Sequence, residues 1–177
     1  VFLASAGANP SERIDELILE GLKAQNKTPN PAASDEIFVR RAWVEIAGRI
    51  PTMEETITFL ESEDPEKRDI LLAELLDSEG YVYRFFPMWA DILRVNRSAN
   101  NGQFVTPYYA EWIREALRTN MPYDEMVREL ITTDGAVWDS AAVGYYLRDR
   151  GMPLDNLANT VRIFLGTRLE CAQCHDH

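Results

Sequence analysis

The chain has 177 residues, 46% of them apolar and 10% aromatic, enough to bury a core without disulfide staples and too apolar for intrinsic disorder. Its 29 acidic and 18 basic side chains give a net charge of −11, which sets it against the phosphates of DNA or RNA and suits a basic protein partner or plain solubility. No apolar run approaches the ~20 residues that a membrane-spanning helix needs.

Residues 1–10, VFLASAGANP, read as a flexible N-terminus or the remnant of a secretory signal. Val1, Phe2 and Leu3 would close an apolar region, and Ala4-Ser5-Ala6 has the small-x-small form of a cleavage site. Residues 11–177 then read as one helical domain. Ser11 is placed to cap a helix with Ile14, Leu17, Ile18 and Leu22 on one stripe. After the prolines of KTPNPAA, Ser34 is placed to cap a second helix containing Ile37, Phe38, Trp43 and Ile46, which Gly48 and Pro51 stop. Thr52 and Glu55 form a Thr-x-x-Glu capping box ahead of Ile57 and Leu60. Asp64-Pro65 signals a further start, leading into Ile70, Leu71, Leu75 and Leu76. Ser78 opens a helix through Tyr81, Val82, Phe85, Phe86, Trp89, Ile92 and Leu93, where Pro87 predicts a kink or break.

NRSANNGQ (96–103) is polar and turn-forming, a loop and the weakest seam of the chain. Thr106-Pro107 restarts a helix with Trp112, Ile113, Ala116 and Leu117, and a short one follows with Met126, Val127 and Leu130, ended by TTDG. Residues 136–153 fit helix or strand. Asp155 or Leu154 opens a last helix through Leu157, Val161, Phe164 and Leu165, stopped by Gly166. Nothing alternates with period two over the length of a strand. The fold class is therefore all-α, a compact bundle of many short helices, with one distinctive motif at its C-terminal end.

That motif is CAQCHDH, residues 171–177, which holds both cysteines and both histidines of the chain. Three chemistries use two cysteines so spaced. In covalent haem attachment, Cys171 and Cys174 would add to the two vinyl groups and His175, directly after, would lie under the iron as proximal ligand. In a zinc site the same residues with His177 would make four ligands, although adjacent Cys174 and His175 are awkward on one ion and zinc usually draws its second pair from farther away. A disulfide across so small a loop would add little stability, and the strand-then-helix context of a redox Cys-x-x-Cys is missing. Under the haem reading, Phe164, Leu165 and Leu169 are apolar neighbours fit to line one side of the porphyrin, or simply core. The sixth ligand would be a methionine, another side chain, water or an outside group. Met152 and Met121 are candidates because each sits in a loop beside a proline, while all five methionines, Met53 and Met88 and Met126 included, equally suit core packing. Asp176 is placed to orient a histidine through its ring N–H, or is an ordinary surface carboxylate.

FVRRAWVEIAGRIPTMEETITFLESEDPEKRDILLAELLDSEGYVYRFFPMWADILR, then MPYDEMVRELIT, then FLGTRLECAQCHDH, resemble in that order the cytochrome-c-associated domain of unknown function of large secreted planctomycete proteins. The resemblance runs from about Glu36 to His177, and its specific parts are Arg40-Arg41 with Gly48 and Pro51-Thr52, the stretch from Met121 to Asp124, and the terminal segment from Phe164. It implies a periplasmic or envelope location and a c-type haem motif at Cys171, Cys174 and His175. It implies no reaction. Arg40 and Arg41 would bind haem propionates or pair with carboxylates.

These readings converge on a c-type cytochrome-like domain with one covalent haem c, used for electron transfer with a redox protein partner or with adjacent domains of a larger secreted protein. The alternative is a non-redox helical scaffold whose motif binds zinc or another metal, or forms a disulfide. Neither histidine nor paired carboxylates are placed for acid–base catalysis.

Overall fold

The structure is a computed structural model that describes residues 9–95 and 102–176. The chain divides into two compact units, residues 1–35 and 36–177. The described part of the first is one helix, α1 (Pro10–Ala24), and its tail. The cap expected at Ser11 lies instead at Asn9: Asn9 Oδ1 accepts from the Ser11 amide at 3.2 Å, and Pro10 takes the first helical position, where its missing N–H costs nothing. Asn26 ends the helix in a left-handed conformation (φ 53°), and the Lys27 amide reaches back to the Leu22 carbonyl at 2.9 Å.

In the second unit α2 (Asp35–Ala42) begins directly after Ser34 and passes into a π-helical turn over Trp43–Ala47, stopped by Gly48 at φ 71°. The stop was legible; the π turn was not. The capping box opens α3 (Met53–Glu61) as expected, with Thr52 Oγ1 accepting from the Glu55 amide at 3.2 Å and Glu55 Oε2 from the Thr52 amide at 2.7 Å. Asp64 does not cap a helix at Pro65. It accepts from the Glu66 amide at 2.8 Å, a local turn that delays α4 to Lys67–Leu76.

Ser78 caps α5 (Glu79–Ile92), whose Oγ accepts from the Tyr81 amide at 3.3 Å. Against expectation α5 runs through Pro87 without a break. The bond lost is the one to the Tyr83 carbonyl, and both residues lie on the exposed side, where water can take that carbonyl. The loop expected at 96–103 lies outside the described residues as far as 101. Its last two residues already belong to α6 (Gly102–Arg118), which starts ahead of Thr106 and contains Pro107, whose ring removes the bond to the Gln103 carbonyl in the second turn. α7 (Tyr123–Thr132) follows. The ambiguous stretch is helical: a 3-10 turn over Ala141–Val143 leads into α8 (Gly144–Leu147). α9 (Pro153–Leu165) ends at Gly166 (φ 65°) as expected, and a 3-10 turn over Glu170–Gln173 closes the described chain. No strand occurs among the described residues, so the all-α class stands.

Two buried clusters hold this unit together. Val39, Ala42, Ala47, Phe59, Leu71 and Leu75 join α2, the π turn, α3 and α4. Leu93, Tyr109, Ile113, Met126, Leu130, Ala142 and Tyr145 join the end of α5 to α6, α7 and α8. α5 packs on α4, the π turn and α6, and so spans both clusters. Core packing describes only one methionine fully: Met126 is buried, Met121 packs on the edge of the second cluster, and Met53, Met88 and Met152 are exposed.

Candidate functional site

The C-terminal motif is built on α9. Gly166 reverses the chain, and the following 3-10 turn lies back along the helix. Glu170 stands 3.8 Å from Arg162, and Gln173 Nε2 donates to Asp155 Oδ1 at 3.1 Å. The turn therefore runs antiparallel to α9 and returns toward the N-terminal end of that helix, where Met152 is the cap residue.

Cys171 and Cys174 are both free thiols and both exposed. The Cys174 and His175 amides donate to the Cys171 carbonyl at 3.2 and 3.4 Å. Cys171 lies in the 3-10 turn, and Cys174 is the residue that ends it. His175 Nδ1 lies 3.0 Å from the Asp176 carbonyl oxygen. A carbonyl only accepts, so Nδ1 is the donor in this contact. Asp176 thus orients the histidine, but through its backbone rather than its carboxylate. His177 lies outside the described residues.

The apolar neighbours divide. Phe164 is drawn into the second core cluster, its ring 6.3 Å from that of Tyr145. Leu165 and Leu169 remain open, at 72% and 36% exposure. Arg40 and Arg41 are exposed at the end of α2. Among the described residues no three His, Cys, Asp or Glu side chains converge to hold a metal ion, and no helix is long and apolar enough to cross a membrane.

Sequence reasoning missed a buried ionic cluster beside α9. Arg148 and Asp149 are 4% and 3% exposed in their side chains. Arg148 Nε donates to Asp149 Oδ2 at 3.1 Å, and Nη1 takes the Leu93 carbonyl at the end of α5 at 2.6 Å. Arg94 pairs with Asp149 Oδ1 at 3.2 Å, while Asn156 Nδ2 reaches Asp149 Oδ2 at 3.3 Å and the Tyr145 carbonyl at 3.1 Å. One carboxylate thus ties α5, α8 and α9 together. Its only trace in the sequence is the adjacent Arg148-Asp149 pair in the segment that fitted helix or strand.

Comparison with curated proteins and with solved structures finds no match. A family model does match, over residues 13–177, nearly the whole chain: the protein belongs to the PSCyt2 family, proteins of unknown function (DUF1549).

Proposed function

We propose that this domain carries one covalently attached haem c and relays electrons in the cell envelope, within a larger secreted protein or complex. The observation that carries the reading is the donor set at the C-terminus: two exposed, unpaired thiols one 3-10 turn apart, followed at once by an imidazole whose Nδ1 is engaged by a carbonyl. Cys171 and Cys174 would hold the group through thioethers, and His175 would offer Nε2 to the iron. Haem, when bound, supplies a one-electron couple whose potential is set by its second axial ligand and its exposure. The backbone of Asp176 fixes the orientation of the His175 ring and raises its basicity as a ligand. Leu165 and Leu169 supply uncovered apolar surface beside the motif. Met152, exposed at the end of α9 toward which the motif returns, is the methionine we favour as sixth ligand. The net charge of −11 would steer a basic redox partner to the domain and speed encounter at low salt.

Expression alongside haem-attachment machinery in a bacterial envelope tests this, read by intact mass and by a reduced-minus-oxidised visible spectrum. A mass gain of one haem with sharp c-type bands is expected, lost in Cys174→Ala. A bare-chain mass would overturn the reading and leave the helical scaffold, for which metal analysis of the same sample would report zinc.

A further inference from the structure

The buried ionic cluster carries one donor that it does not use. Nη2 of Arg148 is buried and has no hydrogen-bond partner among the described residues. The rest of that guanidinium is committed, to Asp149, to the Leu93 carbonyl and to the face of the Tyr145 ring at 4.1 Å. Asp149 does not serve it: its Oδ2 accepts from Arg148 Nε and Asn156 Nδ2, and its Oδ1 faces Arg94. A charged donor withdrawn from water without an acceptor is costly, so a persistent one needs an occupant.

The space for that occupant is present. Arg148 and Asp149 line a cavity of about 280 Å³ with Ala90, Asp91, Arg94 and Val95. Arg94 and Asp91 are exposed, so the cavity that Arg148 lines opens at the surface. Arg94 is also held in an unusual way. It stands at φ 56° just past the end of α5, with the Val95 amide bonded to the Ala90 carbonyl at 2.7 Å. This is the left-handed cap position that glycine normally fills, and an arginine there carries backbone strain. The strained backbone sets a second guanidinium at the cavity that holds the first. Asp149 and Asp91 balance the two arginines in formal charge, so recognition rests on directed N–H donors rather than on net field. The rim carboxylate of Asp91 favours a small ligand over an extended polyanion.

We infer that this cavity binds a small oxyanion, a carboxylate or phosphate group, which accepts from Arg148 Nη2 and from Arg94. Planar guanidinium donors match both chemistries. The site is independent of the haem motif.

Isothermal titration of the full chain with inorganic phosphate and, separately, with acetate, at ionic strength held constant by chloride, tests it. Saturable binding of either is expected, and which of the two binds assigns the source. Arg94→Gln, at an exposed position, is expected to weaken that binding at least tenfold with an unchanged far-UV circular dichroism spectrum. Arg148→Lys is expected to weaken it likewise if it folds; Arg94→Gln decides the matter if it does not. Absence of saturable binding, or binding that Arg94→Gln leaves unaltered (an adventitious ion only), would overturn the inference.

Discussion

Alanine at Gly144 is the sharpest test of how the second core cluster is packed. Gly144 opens α8 with ordinary helical angles, φ −52° and ψ −25°, so it is not there for backbone freedom. It is there for room. A Cβ added at this position would fall 2.5 Å from Tyr109 Cβ and 2.6 Å from Tyr109 Cγ, against the ~3.5–4.0 Å at which carbon atoms rest. α6 and α8 would have to part by about 1 Å. Tyr109 cannot swing away, being 2% exposed and stacked on Trp112 with ring centroids 6.3 Å apart. Overpacking of this kind costs up to about 3 kcal/mol. Alanine returns about 1 kcal/mol of helix propensity. The net is a loss of about 2 kcal/mol, or about 4–8 °C in Tm for a chain of this size. Thermal unfolding followed by circular dichroism reads it. Gly21→Ala in α1, where the new Cβ meets nothing within 4 Å, is the control and should stabilise by about 0.5–1 kcal/mol. A Gly144→Ala variant as stable as the parent would refute the close contact of α6 and α8.

Two further outcomes follow from single side chains. The hydrogen bonds and charge of Arg49, with help from Thr52, hold the Glu55 carboxyl at a pKa of about 2 against an ordinary 4.5. Its folded value is depressed, so its contribution to stability is complete above 4.5 and disappears as pH falls through about 2; carboxyl NMR titration should show this, and Arg49→Gln should move the value back up. Tyr145→Phe keeps the buried ring but removes the hydroxyl that lies 2.7 Å from Thr160 Oγ1, and should cost about 1 kcal/mol in urea unfolding.

Local signals carried far in this chain. Thr52 with Glu55, Ser78, Gly48 and Gly166 each marked a boundary that the structure keeps, because each acts through its own neighbouring backbone. Pro87 does not break α5 for a physical reason. Whether a proline breaks a helix depends on what can replace one lost hydrogen bond, and that depends on which side faces water. The motif itself was plain as a sequence, yet the role of the Asp176 carbonyl was not, since a backbone atom leaves no letter. The contact of Gly144 with Tyr109 and the sharing of Asp149 among Arg94, Arg148 and Asn156 join residues far apart in the chain. No periodicity encodes them.

The openness of the C-terminal turn has a chemical price. Cys171 and Cys174 are both exposed, with no screening element among the described residues. A chain whose sulfurs are not capped is therefore bifunctional toward its own kind. Under oxidising conditions each copy can join to two others, sulfur to sulfur, and grow into a covalent ladder without any unfolding. Occupying both thiols on one chain ends that growth, whatever the occupant is.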